Sequence, residues 1–577
     1  MKNILNLQDY FTDKELIKLL SHKRAMAAKK GHDDHFLRNI SSEAESPHIH
    51  SSDEIFLFFP PRSKWIRLKK QERIIQGENS VKINSLQLER TVLREIKRCE
   101  KLDIIQPLWL KKLLVFTENI RLAVFDESLK YNLETPRTIP VLKDVKENTY
   151  RPISVFKLKD HIITGQIARY LSNCFDPLFT DSAYAFRTGI TKHKVFNHHE
   201  AIEDIIKFKN KVGKTLYVSE CDIKKFYDCV NHNRIKDEFQ LIMQEAQDTL
   251  HIEIDKQAIH FFNSYLASFS FNKNVKENER ELLRNSKSVN GKIASIPWVK
   301  DSELFEVNSD PINDRLGVPQ GGAISCLIAN ILLNYVDKIV LAKWDENTFY
   351  GRFCDDMVLM HTEKFKCESL LEIYQKALLD VKLISHKPEN FYHYGKQFWD
   401  EKLKSKMPYK WGINYISSSH SRKNVPWLSF VGYQIRYDGV VRVRQKSIAK
   451  ELKKQVGETD KILNVVRRAT KPNINKKAIT FRLQQRLISM SISRFRFGTS
   501  NISMCWCAGF RVLKNNNNIT NQIRRLDRNR EKQIKRIKRF LYKVETPELT
   551  TNLKVKSPKY YGHNYSYNKQ FINKEYE

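Results

Sequence analysis

The sequence has 577 residues, of which 41% are hydrophobic and 11% aromatic. That content is enough to build packed cores, so an intrinsically disordered chain is excluded, and the length predicts several compact units. The formal net charge is +34, from 100 Lys and Arg against 66 Asp and Glu, and we expect a phosphate-rich polyanion to offset this excess.

The nine cysteines are scattered and form no CxxC pairs, which favours free thiols in a reducing compartment. The first residues, MKNILNLQDYFTDKELIKLL, have the pattern of an amphipathic helix containing acids, which is not that of a secretion signal. No run approaches the ~18 apolar residues of a membrane span. We therefore expect a cytoplasmic protein without a membrane partner.

The chain then divides into segments of different pattern. Residues 1–105 are polar and mixed, and are predicted to be an N-terminal extension. After them, TIPVLKD and RPISVFKLKD predict short strands and residues 161–175 a helix. TLYVSECDIKKFYDCV (215–230) begins as a strand and becomes helical after its aspartate. Residues 270–310 are low in apolar side chains and are predicted to be a surface insertion.

Further along, residues 321–344 predict a long apolar helix. YGRFCDDMVLMH (350–361) predicts a hairpin with two acids at its tip, followed by a helix at ESLLEIYQKALLDV and a strand pair within 427–444. Acid-bearing strands interleaved with helices that cover one face predict an α+β layer rather than a doubly wound parallel sheet.

The last part of the chain is strongly basic. Between residues 524 and 543 ten Lys and Arg face two acids, on a helix with apolar side chains at helical spacing. This favours phosphate contact over an ordinary solvated face. The predicted domains are an N-terminal extension (1–105), a catalytic part (106–435) and a basic helical part (436–577).

Three aspartates carry the predicted chemistry. Asp222 ends an apolar strand, where an unpaired acid is costly, and Asp355 and Asp356 lie at the hairpin tip. If these strands are neighbours in one sheet, their carboxylates converge into a site for hard divalent cations. Two Mg²⁺ ions bridging such acids stabilise the attacking and leaving oxygens of a phosphoryl displacement. With the polyanion expected from the charge, this predicts nucleotidyl transfer.

The same residues carry a family resemblance. CDIKKFYD (221–228), LGVPQGGAIS (316–325) and FCDD (353–356) resemble motifs A, B and C of reverse transcriptases. Two further segments, TYRPISVFKLKDHIITGQIARYL and SAYAFRTG, are similar to segments of the group II intron type. LISHKPEN resembles motif D, and WLSFVGYQI resembles the primer-grip strand of motif E. Among bacterial enzymes, the chain is most similar to the free-standing defence-associated (unknown group) reverse transcriptases. The resemblance implies a right-hand polymerase fold with fingers, palm and a helical thumb.

The resemblance also implies site residues, in three groups. The catalytic and metal-binding residues would be Asp222, Asp355 and Asp356, holding two Mg²⁺ ions. The nucleotide-binding residues would be Arg151, Tyr227, Gln320, Gly321 and Lys387, and the primer- or template-binding residues Gly322, Phe353 and Gly432. The implied partners are an RNA template, the DNA product and dNTPs. A dedicated non-coding RNA, a partner protein and a second copy of the chain stay open.

The resemblance also implies individual roles for these side chains. The ring of Tyr227 would collide with a 2′-hydroxyl and select dNTPs, although core packing is an alternative for it. The guanidinium of Arg151 would bind the triphosphate in bidentate fashion, with Lys143 or Lys146 as its companion. Lys387 would donate a proton to pyrophosphate, and the motif B glycines would let the backbone approach nucleotide and template.

The chain also departs from the family pattern. Before the acids, where most relatives have an aromatic residue and an alanine, this chain has Phe353 and Cys354. Ala185 replaces a glycine, and Thr188 replaces a proline. These changes bear on template and primer handling more than on metal binding. Three hypotheses stay open: a templated reverse transcriptase in antiphage defence, template-independent or protein-primed synthesis by the same site, and a non-catalytic RNA-binding scaffold.

Overall fold

The computed structural model describes residues 6–41, 54–75, 80–189, 196–289, 291–311, 313–390, 403–412, 427–468, 475–495 and 517–542. The chain divides into two compact units, each built from two stretches of sequence. The first unit comprises Met1–Leu16 and Leu114–Val431, and the second comprises Ile17–Leu113 and Gly432–Glu577. The division predicted from the sequence, at 105 and 435, stays a prediction.

Within these ranges the helices are α1 (Leu7–Tyr10), α2 (Asp13–Ser41), α3 (Lys70–Ile75), α4 (Ser80–Leu102), α5 (Leu108–Phe125), α6 (Leu158–Phe175), α7 (His198–Val212), α8 (Phe226–Cys229), α9 (His232–Leu250), α10 (Lys256–Ser268), α11 (Glu279–Leu282), α12 (Asp301–Phe305), α13 (Ala323–Leu341), α14 (Lys364–Asp380), α15 (Gln445–Arg468), α16 (Lys476–Phe495) and α17 (Asn517–Tyr542). The strands are β1 (Arg137–Asp144), β2 (Thr149–Val155), β3 (Leu216–Asp222), β4 (Thr348–Phe353), β5 (Asp356–His361), β6 (Lys406–Trp411), β7 (Trp427–Phe430), β8 (Tyr433–Arg436) and β9 (Val441–Val443).

A four-stranded sheet in the order β4-β5-β3-β6 forms the centre of the first unit. Its pairs are antiparallel, and the register places Asp222 of β3 directly opposite Asp356 of β5. Helix α14 packs against β3, β5 and β6, and α13 packs against α14, α6 and α9. The predicted α+β layer, the hairpin at 350–361 and the helix within 321–344 are confirmed.

Helix α13 is apolar because it lies in the core of this unit. Among the described residues, α13 alone is long and apolar enough to cross a membrane by length and composition, and 72% of its most apolar window is buried inside the protein. Buried core helices of globular proteins can have the same length and apolar composition. The sequence-based expectation that no run reaches this length was therefore wrong for α13, although its burial accounts for the composition.

The predicted surface insertion at 270–310 is partly core. Phe271, Val275, Leu283 and Ile296 are buried in one cluster, and Tyr150 from β2 packs against that cluster. The prediction of a purely surface segment was wrong, because a few well-spaced apolar residues suffice to anchor an otherwise polar stretch.

The second unit contains the basic helix α17, which packs against α15 and α16. Its apolar positions, predicted from spacing, are all buried: Ile523, Leu526, Ile534, Ile537 and Leu541. At the other end of the chain, the backbone of α2 is helical through Ser41.

Candidate active site

The two acids of FCDD lie at a tight hairpin turn. Strand β4 ends at Phe353 and β5 begins at Asp356, so Cys354 and Asp355 form the turn. Cys354 has a left-handed backbone with φ +58°, which a turn of this length requires. The buried Arg352 side chain donates from Nη1 to the Cys354 carbonyl at 3.2 Å and thereby stabilises the turn.

The three aspartates converge across the two strands. Asp222 pairs with Asp356 in the β3–β5 ladder, and Asp355 follows directly in the turn. Burial raises the pKa of Asp355, and the negative charge of Asp222 raises it further. The two carboxylates are thus close enough to repel each other, which is the state that a bound cation relieves.

A cavity of about 870 Å³ opens at this point. Eight of the eleven predicted site residues line it: Arg151, Asp222, Tyr227, Gln320, Gly321, Gly322, Asp355 and Asp356. Lys143 also lines it, whereas Lys146 does not, so the structure favours Lys143 as the companion of Arg151.

Three predicted residues lie outside the cavity lining. Lys387 is exposed, and its neighbour His386 faces the cavity instead. Phe353 packs its ring against His198, with ring centroids 6.3 Å apart. Gly432 belongs to the second unit and has φ +89°. Their predicted roles stay predictions, and the cavity gives them no support.

The carboxylates fit a divalent metal by their chemistry. Oxygen ligands from Asp222 and Asp355 suit Mg²⁺, and the mutual repulsion of these groups favours a shared cation. Among the described residues, no group of three or more His, Cys, Asp or Glu already stands in a metal-holding arrangement. Instead, Lys404 Nζ lies 2.7 Å from Asp222 Oδ2 and supplies positive charge at that carboxylate.

Cys354 contacts the predicted sugar-selecting ring. Tyr227 Oη lies 3.2 Å from Cys354 Sγ, and the ring of Phe226 packs edge-on against Tyr227. Burial raises the pKa of the Tyr227 hydroxyl, and the nearby Cys354 raises it further, so the phenol stays neutral. A small polar side chain at 354 therefore fixes the position of the Tyr227 ring at the cavity wall.

Gln320 is tied to a buried acid. Its side-chain amide donates to Asp228, and its backbone carbonyl accepts from the Ser154 backbone N–H at 3.0 Å. Burial raises the pKa of Asp228 to about 6, and the hydrogen bond from Gln320 opposes that rise. Asp228 also lines the cavity, a place that the sequence did not assign to it.

The protein's own structure requires both motif B glycines, one for packing and one for backbone conformation. A Cβ at Gly322 would lie 1.8 Å from the hydroxyl of Tyr265, and Gly321 has φ +99°, which L residues rarely adopt. The expectation was that both glycines serve the approach of a ligand. The structure gives Gly322 a different reason, since Tyr265 already fills the space beside it.

Sequence reasoning missed the segment that holds Asp222. The Asp222 N–H donates to Ser405 Oγ at 3.1 Å, and its carbonyl accepts from the His386 N–H at 2.9 Å. Ser405 precedes strand β6, which was not predicted. The alternation in KMPYKW was the available signal, but it is short and rich in lysine.

Part of this chain is similar to a known protein family. Residues 142–388 match the family model described as reverse transcriptase (RNA-dependent DNA polymerase). No curated protein matches the sequence. Similar solved structures include apo telomerase from Candida tropicalis (12% identity, 92% of this chain and 83% of that chain covered, TM-score 0.32). Telomerase from Candida albicans in complex with a TWJ fragment of telomeric RNA is also similar (12%, 82% and 73%, 0.30).

Proposed function

We propose that this chain is an RNA-dependent DNA polymerase that adds dNTPs to a 3′-hydroxyl by two-metal nucleotidyl transfer in the cavity described above. The match of residues 142–388 to the reverse transcriptase family model supports this proposal. The domain has the right-hand polymerase fold that the motifs predicted. The observation that carries the mechanism is the convergence of Asp222, Asp355 and Asp356 on one cavity with Arg151 and Tyr227.

Each side chain has a physical role in this proposal. Asp222 and Asp355 would hold the metal ions, which when bound supply charge stabilisation at the attacking and leaving oxygens. Arg151 is exposed at the cavity and offers a planar fork of N–H donors to phosphate oxygens. Lys143 adds a second positive charge there. Tyr227, held by Cys354, would occupy the space that a ribose 2′-hydroxyl needs.

A basic cavity in the second unit supports nucleic acid as the partner. It measures about 680 Å³ and lies between helices α15 and α17. Six cations and one acid contribute to its lining: Arg467, Arg528, Lys532, Lys535, Arg536, Arg539 and Glu531. Such a density of Lys and Arg suits the phosphate backbone of an RNA template or a DNA product.

The biological setting is proposed from the motif resemblance. Because the chain resembles the free-standing defence-associated bacterial enzymes, we propose a role in antiphage defence in the cytoplasm. Magnesium is the proposed ion because the candidate ligands are carboxylate oxygens. The intact set of three aspartates favours an active enzyme over a non-catalytic scaffold.

Incubation of the purified chain with Mg²⁺, a primed RNA template and either dNTPs or rNTPs tests the proposal. We expect template-dependent DNA synthesis that Asp355→Asn abolishes. Asp380→Asn is the matched control, because Asp380 is an exposed acid at the end of α14, outside the cavity. Synthesis that persists in Asp355→Asn contradicts the proposed site. Product that is independent of added and co-purified RNA would indicate untemplated synthesis instead.

A further inference from the structure

One wall of the active-site cavity comes from the segment that the sequence assigned to a surface insertion. Six of its side chains line the cavity together with the aspartates, and we call them the insertion wall: Ile296, Pro297, Trp298, Val299, Lys300 and Glu303. The wall is thus part of the same space that holds the predicted nucleotide-binding residues.

The segment is bonded to the hairpin that carries Arg151. The Tyr150 N–H donates to the Ser295 carbonyl at 2.8 Å, and the Ser295 N–H donates to the Asn148 carbonyl at 3.2 Å. Asn148 is fully buried, and its amide donates to the Lys292 carbonyl at 2.8 Å. Because Arg151 directly follows Tyr150, these bonds fix the strand position from which Arg151 projects.

The segment is also bonded to the loop after Asp222. Glu303 Oε1 lies 2.8 Å from Lys224 Nζ, and Lys224 stands two residues beyond Asp222. At the other end of the wall, the Trp298 ring stacks on Phe271, with centroids 4.4 Å apart and planes within 6°. The wall therefore connects the Arg151 strand to the Asp222 loop and is itself rigidly packed.

We propose that the insertion wall is part of the nucleoside triphosphate site, where it fixes the spacing between Arg151 and Asp222 and contacts the bound nucleotide through Trp298 and Lys300. Lys300 is exposed at the cavity, and Lys224 neutralises Glu303, so the wall attracts an anionic ligand. A pocket held at the correct spacing before the ligand arrives loses less free energy on binding. The inference rests on the proposed polymerase function.

Steady-state incorporation of dNTPs by three variants tests the inference. Lys300→Gln, Glu303→Gln and Trp298→Phe are expected to raise KM for dNTPs about three- to tenfold and to leave kcat within about twofold, because they weaken ligand positioning and leave the aspartates in place. Lys273→Gln is the matched control. It removes an exposed ion pair with Glu277 that lies within the same insertion and outside the cavity, and it should change neither constant.

Melting temperatures of all four variants establish that they fold. If the wild-type chain incorporates dNTPs and the three wall variants retain its KM, the inference is overturned and the proposed function stands. If the wild-type chain incorporates nothing, the proposed function fails, and binding of dATP in the presence of Mg²⁺ decides the inference separately. Quenching of tryptophan fluorescence by dATP that Trp298→Phe removes supports the wall, and quenching that this variant retains, or no quenching, overturns it.

Discussion

The turn that carries Asp355 depends on a buried ion pair, and breaking that pair gives the sharpest prediction. Arg352 Nη2 lies 2.6 Å and Nε 2.8 Å from the two carboxylate oxygens of Asp337, and each side chain is about 1% exposed. The Tyr350 hydroxyl donates to the same carboxylate at 2.7 Å. Asp337→Ala therefore leaves a buried guanidinium without its counter-ion.

The expected cost follows from that burial. Removing one partner of a buried pair lowers the free energy of unfolding by about 3–5 kcal/mol, because the remaining charge stays in a low-dielectric site. Replacing both partners by apolar residues, as in Asp337→Leu with Arg352→Met, is expected to cost much less than the sum of the single changes. In addition, Arg352→Met removes the donor to the Cys354 carbonyl and so loosens the turn that holds Asp355.

Urea unfolding of the wild type, Asp337→Ala, Asp337→Leu, Arg352→Met and the double variant measures these free energies of unfolding. Incorporation of dNTPs, assayed at a temperature where all five proteins are folded, reports whether the turn still positions Asp355. We expect Arg352→Met to lower kcat while the fold persists. A cost below about 1 kcal/mol for Asp337→Ala, or strict additivity in the double variant, would refute the reasoning.

Three further predictions concern the cavity. Tyr227→Val is expected to raise rNTP relative to dNTP incorporation about tenfold or more, and an unchanged ratio of kcat/KM values would contradict a sugar-selecting ring. Burial raises the pKa of Asp228 from its usual 3.8 to about 6, so the stability that its protonated form contributes is complete below pH 4 and lost as pH rises through 6. The free energy of unfolding of Asp228→Asn, measured by thermal unfolding, should therefore rise relative to that of the wild type by up to about 3 kcal/mol between pH 4 and 8. A difference between the two proteins that does not change with pH would contradict this. Lys404→Met removes the ammonium at Asp222, and should lower the Mg²⁺ concentration at the midpoint of thermal stabilisation by up to about fivefold; an equal midpoint would show that Lys404 does not compete with the ion.

Short-range patterns predicted most of the fold, and the family resemblance implied eight of the residues that line the cavity. Asp222 and the acids at 355 and 356 were found because an unpaired carboxylate on an apolar strand is unfavourable in free energy. The register now places Asp222 opposite Asp356. The basic helix α17 was found because its apolar positions repeat at helical spacing. Both signals depend on residues close together in the sequence.

What the sequence could not predict depends on contacts between distant segments. Lys404 meets Asp222 across 182 residues, and β6 is too short for its pattern to stand out. Ile296 is buried only because Phe271 and Tyr150 meet it in one cluster. Motif spacing also could not decide between adjacent side chains, since His386 faces the cavity and Lys387 does not.

The second unit is built from two distant segments of the chain, which affects the order in which the chain folds during synthesis. Its two parts, Ile17–Leu113 and Gly432–Glu577, are separated by almost all of the first unit. At ribosomal rates of about 5–20 residues per second, the early part waits tens of seconds for its partner sequence to emerge, while the first unit completes in between. Termination just after residue 431 would therefore leave Ile17–Leu113 without its partner segment, as a target for chaperones and proteases.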